Sequence, residues 1–414
     1  MLDRKNLRSL VHQPVVVVGR GVLRSPGYSA ENEIYADFNA DEFDLREVST
    51  REQIVQDVRQ LWRPWSAYQF ATEHDRAAML AAIIGAICRP SLGIAPGLCF
   101  DAPTPSSGKT IAATAIGSLI LGRHCPVVIG AKTNDDDEMR KLVASAVLSG
   151  TDVLILDNLR GHVCSAVLEG LITSGGLYGR ILGQTQHFEG EVRGTIMLTS
   201  NNASLSTDMA TRFLQIRIDT RTERPQSQHF EFNPIVRALC ERLAVINAVL
   251  NVVQAYFDAG SPVIGKGCSR FPEWDRLVRQ CILWLEREGF AKEAGIDQIG
   301  DPAHAIMEDA GNADPESEGL ALLLEGLQSK YGTEWFSARN VVSWIENCRD
   351  DNALMVREAL ETLMPSVGSG RISVSTFASI LRYRVDRPSE GLVLRKFKAG
   401  KKTNGYMVCR HAGA

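Results

Sequence analysis

Leu98-Cys-Phe-Asp-Ala-Pro-Thr-Pro-Ser-Ser-Gly-Lys-Thr110 is the stretch that decides the reading of this chain. Leu98 to Phe100 predicts a short buried strand, the Pro/Ser/Gly run a tight turn, and Lys109-Thr110 the first turn of an apolar helix. Strand, turn and helix start in that order make a phosphate-binding loop, where backbone N–H groups and the helix N-terminus surround anionic oxygens. Pro103, Thr104, Pro105, Ser106, Ser107 and Gly108 would then line the phosphates. Lys109, read as a side chain on an exposed loop, would neutralise the β- and γ-phosphates, and the Thr110 hydroxyl would hold Mg²⁺. Pro103 stands where the usual pattern has its first glycine.

The downstream order turns this weak match into a specific one. Val153-Leu-Ile-Leu156 predicts a second buried strand, and it delivers Asp157 to the carboxyl edge of a sheet, where a carboxylate orients Mg²⁺. A third strand over 195–200 ends at Asn201, placed to sense the γ-phosphate, with Asn202 as its one-residue alternative. Asp208-Met-Ala-Thr-Arg212 follows as a short helix, and Arg212 is the candidate for an arginine finger. These stations imply ATP and Mg²⁺ as ligands. Asn158 follows Asp157, and an amide cannot accept the proton of an attacking water. Glu138, in Asp135-Asp-Asp-Glu138, is the substitute base on topology; the same acidic run also suits a helix first turn.

Strands at 97–101, 126–130, 153–157, 195–200 and 213–218 alternate with helices at 109–121, 135–149 and 162–173. That alternation predicts an α/β core with a parallel sheet. A strand between the Lys109 helix and the Asp157 strand puts Asp157 on a non-neighbouring strand. Residues 1–50 read as a small β-rich segment and 51–225 as the ATPase core, with helices at 50–61 and 75–88. Residues 226–292 read as a helical lid, 293–318 as a linker and 319–414 as a basic winged-helix-like domain. Arg237 and Arg242 in the first lid helix are candidates to contact the γ-phosphate. A hairpin precedes the 195–200 strand, with Gln184, Gln186 and His187 near its tip.

Composition bounds the remaining classes. The chain has 414 residues, 44% hydrophobic and 23% charged, as expected of a globular protein with two or three domains. Its most apolar stretch, Ala77 to Phe100, is cut by Arg89, Pro90 and Pro96, so no membrane span is expected. Nine cysteines without metal spacing read as reduced thiols of a cytoplasmic protein. Charge is unevenly placed. Residues 371–414 carry ten Lys/Arg against two carboxylates, a tail of +8 on a chain of net −4. That tail points to nucleic acid. A helix over 373–385, with Arg382 and Arg384, precedes a hairpin carrying Lys398, Lys401 and Lys402, the arrangement of a recognition helix and a phosphate-gripping wing.

In one order the chain also carries Phe70-Ala-Thr-Glu-His-Asp-Arg-Ala77, Asp101 to Thr110, Leu156-Asp-Asn158, Gly179-Arg-Ile-Leu-Gly183, Thr199-Ser-Asn-Asn202 and Asp208 to Arg212. Together these resemble the AAA+, superfamily III-like helicase portion of phage, plasmid and integrated-element primase–helicases, over roughly residues 14 to 290. The resemblance implies an ATP-driven DNA helicase or translocase in a ring, a hexamer by analogy, with ATP at subunit interfaces and single-stranded or forked DNA as partner. It departs from the pattern at Ser106, where relatives carry Gly, and at Asn158, where they carry Glu. No primase module precedes residue 14, so a separate primase or host replication protein is an expected partner. A replication initiator or helicase loader, and a nucleotide-gated DNA-binding switch, are the alternatives.

Overall fold

The computed structural model describes all residues except 1–6, 8, 18, 32, 105, 132–134, 181–186, 192–193, 220–230, 309–314, 349, 364–372, 399–403 and 411–414. Two compact units divide at residue 310.

The first unit is built on five strands: β1 (Gly97–Ala102), β2 (Val128–Ile129), β3 (Val153–Leu159), β4 (Thr195–Asn201) and β5 (Phe213–Arg217). They hydrogen-bond in the order β5-β1-β4-β3-β2, and every pairing is parallel. The expected parallel α/β sheet is therefore present, with β4 between the phosphate-loop strand and the Asp157 strand. Every residue of β1 is buried, as is β4 up to Ser200. Such near-continuous apolar runs are what a strand covered on both faces requires. Because the strands are parallel, their carboxyl ends gather at one edge, where ligands of open α/β sheets bind.

Helix α1 (Arg51–Trp62) starts at a Thr50/Gln53 capping box, and α2 (Glu73–Cys88) at a Thr72/Asp75 box. Asp75 Oδ1 also accepts from the Arg217 amide over 2.8 Å, tying the start of α2 to the end of β5. Helix α3 (Lys109–Leu121) packs across β1, β3 and β4. Helix α4 (Asp136–Leu148) follows β2. Ahead of α5 (Ala166–Ser174), residues 162–163 form a short strand rather than the start of the expected helix, pairing with Ser204–Leu205, and α6 (Thr207–Ala210) leads into β5. The β-rich N-terminal segment comprises five three-residue strands between Ser9 and Ala36.

The residues expected to form a lid and a linker pack into the same core as the sheet. The run over 234–260 breaks at Glu241 into α7 (Pro234–Cys240) and α8 (Arg242–Asp258). Ten of the 17 residues of α8 are buried; nine share one hydrophobic core with α1, α2 and the sheet, and the tenth, Asn251, bonds the backbone of Asp44 and Arg46. A helix buried this fully is structural framework. Residues 293–308 likewise belong to the unit: Ile296, Ile299, Ala303 and Ile306 enter its core, and Asp301 accepts from the buried Arg279 over 2.6 Å. Acidic and glycine-rich composition masked the spacing of those four apolar residues.

In the second unit, α9 (Pro315–Tyr331), α10 (Ala338–Asn347), α11 (Asp351–Leu363) and α12 (Val374–Tyr383) precede the antiparallel pair β6 (Leu392–Lys398) and β7 (Asn404–Arg410). Its own core joins Leu320, Leu324 and Leu327 of α9 with Val356 and Leu360 of α11, Phe377 and Leu381 of α12, and Leu394 and Val408 of the hairpin. Among the described residues, no helix is long and apolar enough to cross a membrane.

Candidate nucleotide site

At the carboxyl edge of the sheet, the loop after β1 turns sharply enough to need left-handed backbone at two positions, Ser106 (φ 63°) and Gly108 (φ 86°). Glycine meets that requirement without strain; serine holds it at a cost of about 1–2 kcal/mol. This is the physical reason a glycine suits position 106. Gly108 caps α3, and the Tyr68 hydroxyl donates to its carbonyl over 3.1 Å. Pro105 lies outside the described residues; Pro103 is exposed and Ser107 buried.

Lys109 does not stand out on an exposed loop. It is 6% exposed, and its ammonium donates to the Thr104 carbonyl at 3.1 Å and the Ser107 hydroxyl at 2.9 Å. Among the described residues, no carboxylate reaches ion-pair distance of it. Burial pulls its pKa below the ordinary lysine value, against the opposing fields of Asp101 and Asp157. A buried ammonium bonded only to neutral oxygens is a site suited to an anion.

One residue along, the Thr110 hydroxyl donates to Asp157 Oδ1 over 2.7 Å, and the Thr199 hydroxyl donates to the same oxygen over 2.6 Å. Two strand ends, those of β3 and β4, and one helix start thus converge on a single carboxylate. A bulge aims it: Leu156 pairs with Leu198 and Leu159 with Ser200, so Asp157 and Asn158 together oppose Thr199. Asn158 takes the extra residue's left-handed conformation, φ 63°, and its amide N–H donates to Thr199 Oγ1 over 2.9 Å. Asn tolerates this backbone better than Glu does, so the bulge and the amide belong together.

Asn201 and Asn202 separate cleanly. Asn201 Nδ2 donates to Asn158 Oδ1 over 2.9 Å, toward Asp157, and its own Oδ1 is buried without a donor among the described residues. Asn202 turns away, its Oδ1 accepting from Arg217 over 2.9 Å. Register is invisible in a sequence, but the structure puts Asn201 on the Asp157 side.

Asp101, near the carboxyl end of β1, ties the sheet edge together. Its carboxylate accepts from Ser200 Oγ (2.7 Å), the Asn202 amide (2.8 Å) and Arg217 (2.9 Å). It fastens the strand ends on either side of the loop to each other. The signal in the sequence was its place as the last polar residue before the turn. Thr199, Ser200 and Arg217 carried none.

Other candidates are not brought to the loop. Glu138 is exposed at the third position of α4, where its N–H is capped by Asp135 and its carboxylate takes the Lys141 ammonium over 2.6 Å. Arg237 lies 3.4 Å over the Phe232 ring and 3.7 Å from Glu241. Arg242 donates to the Leu119 and Ile120 carbonyls, capping α3 at the end opposite Lys109. At 1.5 Å per residue that is roughly 18 Å away, so a γ-phosphate contact from Arg242 in its own chain is corrected.

Arg212 sits at the opposite edge of the sheet. Its carbonyl accepts from the Gly97 amide at the start of β1, and the next residue, Phe213, pairs with Gly97. The length of β1 puts it roughly 17 Å from its own phosphate loop. The guanidinium contacts Asp208, Thr211 and Thr173. It cannot serve its own site.

Of the expected nucleic-acid contacts, Gln184, Gln186, Lys401 and Lys402 lie outside the described residues. His187 opens the second strand of the Gly176–Arg180/His187–Glu191 hairpin. Arg382 and Lys398 are exposed. Arg384 is corrected: it is 8% exposed and donates to the Ile380 carbonyl at the end of α12, so its charge serves the helix terminus.

No protein-family model matches the chain, and no curated relative matches it. Among solved structures, the chain is similar to the apo A form of the NrS-1 C-terminal region, at 11% identity and TM-score 0.37, over 90% of this chain and 79% of that one. It is similar to the active helicase Cch of SCCmec type IV, at 13% identity and TM-score 0.33, over 78% and 64% of the two chains. JCV helicase bound to a thiazolopyridine acetamide gives 14% identity and TM-score 0.24, over 57% and 68%.

Proposed function

We infer that this chain is an ATP hydrolase that drives movement along DNA, a helicase or translocase working as a ring of six subunits in the replication system of a phage or mobile element. The observation that carries the ATPase reading is the convergence of Lys109, Thr110 and Asp157 at the carboxyl edge of the parallel sheet, with Thr110 and Asp157 in direct contact. Their donor set fits a magnesium–nucleotide: a buried ammonium with no carboxylate partner among the described residues, a hydroxyl beside a carboxylate, and the buried Asn201 acceptor with no donor among those residues.

In this reading Lys109 and the loop N–H groups bind the β- and γ-phosphates, and Thr110 and Asp157 hold Mg²⁺. Bound MgATP supplies the phosphoryl group that water attacks. Asn201 Oδ1 accepts a hydrogen from that water, and Asn158 fixes the Asn201 amide. Two amides orient but do not deprotonate, so catalysis here is mostly positioning and charge stabilisation. Arg212 would complete the site of a neighbouring subunit, since its own loop is out of reach. The C-terminal unit would act as a winged helix, with Arg382 and the lysines of the hairpin on DNA phosphates.

Turnover with and without single-stranded DNA tests the reading. Stimulation by DNA supports a motor. ATP binding without turnover supports the second reading, a nucleotide-gated switch, which Asn158 in place of a carboxylate favours.

A further inference from the structure

The C-terminal unit carries an exposed aromatic pair that phosphate contacts leave unexplained. Phe336 and Tyr406 exchange both backbone hydrogen bonds, at 2.9 and 2.8 Å, so residues 335–336 extend the edge of the β6–β7 hairpin. Across that small sheet, Tyr406 pairs with Lys396 and Gly405 with Phe397. Phe336 and Tyr406 turn inward, 1% and 2% exposed. Side chains alternate along strands, so Trp335 and Phe397 turn to the outer face, diagonally across β7, whose Gly405 lies opposite Phe397 and adds no side chain there. Their rings meet edge to face, 6.2 Å between centroids and 83° apart, yet remain 54% and 37% exposed.

Cations surround the pair. Arg395 shares the face with Phe397, two residues away, and hydrogen-bonds the Asp386 carboxylate; Lys396 and Lys398, on either side of Phe397 in the same strand, are exposed and start from the opposite face. A protein-binding patch buries its aromatics in a core depleted of lysine. Aromatic rings interleaved with lysines instead match a chain that offers flat rings and phosphates together. In duplex DNA the ring faces are stacked on one another, whereas unpaired bases present them. We propose that Trp335 and Phe397 form a base-stacking platform for single-stranded nucleic acid whose backbone passes around the edge of β6 beyond Leu394, where Lys396 and Lys398 meet its phosphates. This deepens the reading of the C-terminal unit as a DNA-binding element and rests on it.

The test uses the full chain, a labelled oligo-dT and an abasic oligonucleotide of equal length. Trp335→Ala and Phe397→Ala should each weaken oligo-dT binding by about 5- to 100-fold, the range of one lost stack, and leave abasic binding and the salt slope unchanged. Trp335→Tyr should restore most of the loss. Lys396→Ala/Lys398→Ala should weaken both ligands and flatten the slope of log K against log salt by up to ~1.4. Wild-type affinity in both aromatic variants, with the lysine variant still impaired, overturns the platform and leaves the DNA reading standing. If neither the wild type nor any variant binds either oligonucleotide, the DNA reading itself fails and the aromatic face belongs to a protein partner.

Discussion

The Thr110 hydroxyl donates to the Asp157 carboxylate over 2.7 Å, joining residues 47 positions apart in the chain. The contact exists because β4 inserts between β1 and β3 while α3 crosses above all three. Replacing Asp157 by Asn preserves the size of the side chain and removes its charge. Turnover should fall by at least ~10²-fold, the scale of a lost electrostatic stabiliser, with ATP still bound when Mg²⁺ is raised. Full activity in Asp157→Asn at low Mg²⁺ would remove the carboxylate from the site.

Lys109→Met should abolish nucleotide binding while melting no lower than the wild type in the absence of nucleotide. Burial disfavours the charged ammonium, as its lowered pKa records, and its partners are neutral oxygens that lose little. Calorimetric melting and titration with a fluorescent ATP analogue check the two halves separately. A marked drop in melting temperature would make Lys109 a structural residue.

Arg212→Ala protomers should bind ATP normally and fail to hydrolyse it, since the side chain lies an entire strand length from its own loop. Mixed with Lys109→Met protein, they should regain part of the activity, because some interfaces then pair an intact loop with an intact arginine. Absence of any recovery at every ratio, in rings shown to assemble, refutes the shared site.

Glu138→Gln should leave turnover within about threefold of wild type. Its carboxylate is exposed and paired with Lys141, and salt bridges of that kind contribute roughly 0–1 kcal/mol. A loss of ~10²-fold, the usual contribution of a general base, would instead restore Glu138 to that role and leave Asn158 a spectator.

Asp301→Asn should destabilise the first unit by about 3 kcal/mol, because Arg279 is almost wholly buried and would keep only Asp275 as an anionic partner. Burial pushes the Asp301 carboxyl up, but the hydrogen bonds and charge of Arg279 outweigh it and hold the group below its ordinary value. A carboxyl lowered on folding stabilises fully above its unfolded pKa and loses that contribution as pH falls through the folded one. The wild type should therefore lose stability below about pH 4 more steeply than Asp301→Asn. Parallel acid limbs for the two proteins would contradict the pairing.

The sequence by itself determined the strand–loop–helix at 97–121, the alternation that made a parallel sheet, the strand inserted before Asp157, and the basic C-terminal hairpin. These are local patterns: apolar runs bounded by turn residues, a loop followed at once by a helix start, charges adjacent in the chain. Only the tertiary structure decided that Asn201 faces Asp157 while Asn202 faces Arg217, since a strand's two faces differ by one residue of register. It alone decided that Arg212 lies at the far edge, that Asp101 fastens the strand ends, and that Arg242 and Arg384 are spent on helix termini. Residues 293–308, acidic enough to pass for a linker, became core because four apolar side chains found a surface made by helices elsewhere in the chain. Partners distant in sequence leave no local mark, and a charged residue reads the same whether it caps a helix or meets a phosphate.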